Sequence, residues 1–157
     1  PLPESEANDN IPATKEGSSQ DSTEPLLSNH GLNILLVDDS EDNLFLISKF
    51  LEKTSHQLTM ASDGAEALDN FTKGSFDLVI MDIEMPIMNG FEATQKIRQW
   101  EIDNQREKTP IIILTAHALS EKLDQVKEVG ADLTLTKPIN KNQLLITLGK
   151  FSSKKAN

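Results

Sequence analysis

The sequence predicts an α/β fold, a five-stranded parallel sheet with helices on both faces. Three observations predict it. Five short apolar runs recur along the chain from Asn33 onward. The stretches between and after them place apolar residues at helical spacing. Three of the five runs are apolar without interruption, as strands covered on both faces are. Strand alternating with helix five times implies right-handed crossovers between parallel strands.

The elements follow in order. The first run, Ile34 to Val37, is continuous and reads as an inner strand. Ser40, followed by Glu41 and Asp42, is a helix start with acids near the positive end of the dipole, and Leu44, Ile47 and Leu51 give that helix one apolar face. Leu58 to Ala61 is the second strand, and Ser62 and Asp63 after it read as turn residues. Ala65 and Leu68 are assigned to the inner face of the second helix. Leu78 to Met81 is the third strand, and Phe91 and Ile97 mark the third helix. Trp100, near the end of that helix, is expected to be partly packed, and Glu101 to Thr109 reads as a hydrophilic connection. Ile111 to Leu114 is the fourth strand; Leu119, Leu123 and Val126 give the fourth helix, with Gly130 as its stop. Leu133 to Leu135 is the fifth strand, and Leu144, Leu148 and Phe151 give the last helix.

Residues 1–31 differ in kind. They carry six acidic residues and one basic residue, Lys15, with few apolar side chains and no period. Such a segment cannot bury enough surface to offset its chain entropy, so a disordered acidic linker is expected there. Leu26 and Leu27 are its residues best suited to touch the domain. The ordered domain is expected over 32–153, with a solvated tail over 154–157. Pro1 stands where a start Met would, which leads to the expectation of an excerpt from a longer protein.

Composition narrows the function classes. A formal net charge of -10 repels nucleic acid and anionic lipid, so neither is expected as a direct partner. Without cysteine there are no disulfides and no thiolate metal sites, which fits a cytoplasmic location. No apolar run approaches the roughly 20 residues needed to span a bilayer, so no direct membrane contact is expected of this domain.

Ligands of open parallel sheets bind at the carboxyl ends of the strands. Asp38 and Asp39 follow the first strand, Asp82 the third, Thr115 and Ala116 the fourth, and Lys137 and Pro138 the fifth. Three carboxylates, a hydroxyl and an ammonium therefore converge on one edge. Three clustered carboxylates repel one another, and a hard divalent cation with oxygen ligands removes the conflict. Magnesium suits such a site; zinc does not, because no His or Cys is among the candidates. A carboxylate screened in this way can act as a nucleophile toward phosphorus and form an acyl phosphate. Thr115 can donate a hydrogen bond to a phosphoryl oxygen, and Lys137 can neutralise another. Taken singly, each feature has a bland reading: an acidic pair as a cap and turn, a Thr or Lys as solvated surface. Their joint placement after strands one, three, four and five favours a site.

The stretches LLVDDSEDN, DLVIMDIEMPIMNGFEA, PIIILTAHA and GADLTLTKPI resemble the signature of response-regulator receiver domains, over about Asn33 to Phe151. The resemblance implies a flavodoxin-like receiver fold with strand order 2-1-3-4-5. It implies Asp82 as phosphoacceptor, Asp39 and Asp82 as direct Mg2+ ligands, and Asp38 as the acid that holds the metal through water. It implies the backbone carbonyl of Glu84 as a further ligand, Thr115 as switch hydroxyl, the Ala116 amide as a phosphoryl contact and Lys137 as the ion-pairing lysine, with a cis bond to Pro138. The implied donor is a phosphohistidine on a histidine kinase or histidine phosphotransfer domain. DNLFLISKFL, MPIMNGFEAT and ILTAHAL look most like the receiver of a hybrid sensor histidine kinase; the alternative is a stand-alone response regulator that acts through phosphorylation-dependent protein binding. Many receivers carry an aromatic residue three positions before the site lysine. Thr134 stands there, so the aromatic half of the usual switch is missing.

Rival classes fit less well. An FMN carrier of the same architecture needs a phosphate-cradling loop and usually aromatics against the flavin; this chain has no Tyr, and its first loop is acidic. An aspartate-nucleophile phosphatase has its second acid two residues after a nucleophile on the first strand, whereas Glu84 follows Asp82 on the third. A degenerate docking receiver would not keep a complete site. His30, His56 and His117 are scattered, which argues against a metal or phosphohistidine role; His117, two residues after Thr115 at the mouth of the pocket, has two readings, an influence on hydrolysis of the phosphate or an exposed residue.

Overall fold

The computed structural model describes residues 31–116 and 120–156. The expectations for residues 1–30, including Leu26, Leu27 and His30, and those for His117 and Leu119, lie outside the described residues.

Among the described residues five strands and five helices alternate: β1 (Asn33–Val37), α1 (Glu41–Phe50), β2 (Gln57–Ala61), α2 (Gly64–Lys73), β3 (Leu78–Asp82), α3 (Gly90–Asp103), β4 (Ile111–Thr115), α4 (Ser120–Glu128), β5 (Leu133–Thr136) and α5 (Lys141–Ala156). The strands form one parallel sheet in the order β2-β1-β3-β4-β5. The predicted class and order both hold. α5 runs through Ala156, into the stretch assigned to the tail.

The period of two in a strand sorts the core into two layers. Leu35, Val37, Val79, Met81, Ile111 and Ile113 pack on one face with Ala67 and Phe71 of α2, Ala93 and Ile97 of α3, and Val126 of α4. Ile34, Leu36, Leu78, Ile80, Ile112 and Leu114 pack on the other with Ile47 of α1 and Leu144 and Leu148 of α5. β3 and β4 are buried throughout, as their uninterrupted apolar sequences require. β2, at the sheet edge, buries only Ala61 fully.

Helix starts are fixed by side chains, as helix ends with orphan N–H groups need. Ser40 caps α1 and accepts from the Asn43 N–H; Asp63 caps α2; Asn89 caps α3. Gly130 takes φ of +89° after α4, a conformation that favours glycine. Two assignments of apolar faces change. Ala65 is exposed, and α2 buries Ala67 and Phe71 instead, with Leu68 partly buried. Leu123 is 37% exposed, although Val126 is buried. Phe91, partly buried, and Ile97, buried, both pack on the core as expected. Trp100 is partly buried as expected, edge-on to Phe71 with the Arg106 guanidinium over its ring. His56 accepts the Leu32 N–H through Nδ1, which ties the start of β1 to the turn before β2.

Glu101 departs from its reading as part of a hydrophilic connection. It is the last buried residue of α3, and its side chain is 2% exposed. One oxygen accepts from Arg98 Nη1 at 2.8 Å and the other from the Thr109 N–H at 2.7 Å. Arg98 also donates to the carbonyls of Gly130 and Thr109 and to Asp132 Oδ2. Asp132 Oδ2 in turn accepts the Ile111 N–H. This network ties the end of α3 to the starts of β4 and β5, at the opposite end of the sheet from the acidic cluster.

Candidate functional site

The carboxyl ends of four strands bring the candidate residues together. Asp38 follows β1 and its N–H donates to the Ala61 carbonyl, so its backbone continues the pairing with β2. Its carboxylate is fully buried. Asp39, next in the chain, is exposed. Asp82 closes β3 and is 2% exposed. One carboxylate oxygen from each of the three lies within 4.8 Å of the others.

Lys137 follows β5, and its N–H donates to the Thr115 carbonyl, which fixes where its side chain starts. Its Nζ is 2.8 Å from Asp82 Oδ1 and 3.6 Å from Asp38 Oδ2. Its bond to Pro138 is cis, as the resemblance implies. Thr115 closes β4 and is 3% exposed; Ala116, next to it, is exposed. Glu84 lies two residues past Asp82, with an exposed side chain.

Local sequence holds the loop after Asp82 in place. The Gly90 N–H donates to the Ile83 carbonyl at 2.8 Å. A Cβ at Gly90 would collide with the Asp82 carbonyl, so the start of α3 can lie against the end of β3 only because that residue is glycine.

The electrostatics show an excess of negative charge. Burial, the largest influence, pushes the Asp82 carboxyl above its ordinary range; Asp38 and Asp39 push the same way, and the hydrogen bond from Lys137 offsets this only in part. Burial draws the Lys137 ammonium down, but Asp82 and Asp38 more than reverse this, and it stays raised. Both shifts describe one site in which a single ammonium faces more negative charge than it neutralises. The donors are oxygens on closely spaced carboxylates, the set that hard divalent cations prefer. The residues present therefore fit such a cation.

Sequence reasoning missed one residue of this cluster. Asn43, on the first turn of α1, donates from Nδ2 to Asp38 Oδ2 at 3.1 Å. Its place five residues after Asp38, one turn past a helix cap, was the available signal.

A family model for the response regulator receiver domain matches residues 34–148. Among curated relatives, the sensor protein GacS of Pseudomonas syringae pv. syringae is 38% identical over 128 residues, covering 82% of this chain and 14% of GacS. The chain thus spans a small part of the curated relatives it matches. Among solved structures, the Ssk1 receiver domain of Saccharomyces cerevisiae, crystallised with the histidine phosphotransfer signaling protein Ypd1, matches with a TM-score of 0.75 and 27% identity, over 81% of this chain and 92% of that one. The receiver domain of the sensor histidine kinase PA1611 of Pseudomonas aeruginosa, with a magnesium ion coordinated in its active site cleft, matches with a TM-score of 0.68 and 29% identity, over 78% and 98%.

Proposed function

Since the chain belongs to the response regulator receiver family, we propose that it accepts a phosphoryl group from a phosphohistidine onto Asp82, with Mg2+ as cofactor. The observation that carries the reading is the contact of 2.8 Å between Lys137 Nζ and Asp82 Oδ1, with Asp38 and Asp39 beside it. A buried carboxylate held between an ammonium and two further acids is a nucleophile set up for charge that has yet to arrive.

Asp39 and Asp82 are the direct ligands of the cation in this reading, Asp38 holds it through water, and the Glu84 carbonyl completes the protein's share. A cation held there would screen the incoming phosphoryl oxygens from the acids. An Asp82 oxygen attacks phosphorus, the P–O bond forms as the P–N bond to imidazole breaks, and the imidazole leaves with the electron pair. Lys137 Nζ and the Thr115 hydroxyl meet phosphoryl oxygens, and the Ala116 amide donates to another. The negative charge that crowds Asp82 is thereby shared among donors already in place.

The partner is a histidine kinase or a histidine phosphotransfer domain. Support comes from the exposed side chains of Phe45 and Leu46 on α1 and Ile87 in the β3–α3 loop, which are 62%, 40% and 86% exposed. Both segments begin at the acidic cluster, so a partner that covers them brings its histidine to Asp82. We assign the receiver unit to residues 32–153, in a hybrid sensor histidine kinase. No helix among the described residues is long and apolar enough to cross a membrane. The cytoplasmic location proposed for the receiver rests on its phosphohistidine donor.

Intact mass after incubation with acetyl phosphate and Mg2+ tests the assignment. One phosphoryl group per chain in the wild type and none in Asp82→Asn is the expected result. Undiminished labelling of Asp82→Asn would place the acceptor elsewhere.

A further inference from the structure

The carboxylate of Asp38 has no freedom that its neighbours leave unused. Oδ1 accepts the Ser40 N–H at 2.9 Å, and Oδ2 accepts from Asn43 Nδ2 at 3.1 Å. Oδ2 also lies 3.6 Å from Lys137 Nζ, a distance at which the charges attract without a short hydrogen bond. Lys137 makes its short contact, 2.8 Å, with Asp82. Asn43 and Lys137 thus face the same oxygen of Asp38, and Asn43 makes the shorter contact.

We propose that Asn43 is a positioning residue for the metal site, whose side-chain amide fixes the Asp38 carboxylate for the cation and keeps it from closing onto Lys137. The inference rests on the Mg2+ reading above. Without the amide, Asp38 Oδ2 can rotate toward the ammonium and form a direct ion pair. That movement takes one carboxylate away from the cation and divides Lys137 between two acids.

Capping of α1 does not account for the amide. The cap of α1 uses the backbone N–H of Asn43, which bonds Ser40 Oγ at 3.3 Å and which any residue but Pro supplies. Within a helix Ala is a better former than Asn. Helix stability alone therefore predicts that Asn43→Ala is neutral or slightly stabilising. A group that orients a metal-holding carboxylate predicts loss of metal affinity instead, on the scale of about tenfold or more.

The test is a Mg2+ titration of the full chain followed by the amide shifts of Asp39 and Ile83, for wild type, Asn43→Ala and the similarly branched Asn43→Leu, with thermal melts alongside. Both variants should bind Mg2+ about tenfold more weakly and melt within a few degrees of wild type. Labelling by acetyl phosphate should slow at low Mg2+ and recover toward the wild-type rate at saturating Mg2+, because affinity rather than the nucleophile is affected. Should Asn43→Ala melt early, Asn43→Leu, which refills the space, decides by the same titration. Unchanged Mg2+ affinity in the folded variants overturns the role of Asn43 and leaves the Mg2+ reading intact. A wild type that shows no Mg2+-dependent shift overturns both.

Discussion

Asp82 is the residue on which the surroundings weigh most, and the cost of ionising it can be measured. Burial raises its pKa, and Asp38 and Asp39 add to the effect. An acid raised in the folded state gives stability that is complete below its unfolded pKa and lost as pH rises through the folded one. At neutral pH, without a divalent cation, ionised Asp82 therefore counts against the fold. Asp82→Asn should melt above wild type in excess chelator at pH 7. The difference should shrink as the pH falls toward the carboxylate range, and also when Mg2+ is added to the wild type. A lower melting temperature for Asp82→Asn would show that the pair with Lys137 outweighs burial and repulsion. Glu101 presents the opposite case, a buried charge with every oxygen engaged. Asp132 still holds Arg98 when Glu101 is removed, but the Thr109 N–H loses its acceptor. Glu101→Ala should cost roughly 1–3 kcal/mol in urea unfolding, as leaving a buried donor without its acceptor does, with one phosphoryl group per chain still accepted by the folded protein. The acidic cluster was legible because each member directly follows an apolar run. Glu101 was not, because its partners Thr109 and Asp132 meet it only in three dimensions, and the one local sign is its spacing of three from Arg98.

At the scale of elements, strands were more legible than helix faces. An uninterrupted run such as Ile111–Thr115 has one reading once both faces are covered. A helix face depends on where the helix begins. In α2 the start is Asp63, which accepts the Glu66 N–H while Glu66 reaches back to Ser62. That reciprocal cap sets a phase in which Ala67 and Phe71 turn inward and Ala65 outward. Reading Ser62 and Asp63 as turn residues concealed the phase. In β5 the half-buried Thr134 stands where many receivers carry an aromatic ring. Thr is β-branched, with few rotamers and no ring to bury. Binding of beryllofluoride, a phosphoryl mimic, should therefore shift amides near Asp82, Thr115 and Lys137 far more than those along α4. Large shifts over the whole of α4 with new dimer formation would mean that the domain switches remotely without the aromatic.

The whole molecule separates support from chemistry. Two apolar layers on either side of the sheet account for most of the core, and alternation along β1, β3 and β4 assigns each residue to its layer. The Arg98–Glu101–Asp132 network secures one end of the sheet, and the acidic cluster occupies the other. The strand order came from resemblance rather than from apolar pattern, because the pattern states which residues are buried and not which strands are neighbours. The central claim concerns a covalent bond on one side chain. Borohydride reduces an aspartyl phosphate to homoserine, so the phosphorylated chain can be reduced, digested and mapped by mass. Homoserine at position 82, dependent on Mg2+ and absent without a phosphodonor, is the predicted result. Homoserine at another aspartate, or a phosphoryl group that survives borohydride on a hydroxyl or imidazole, would contradict the account.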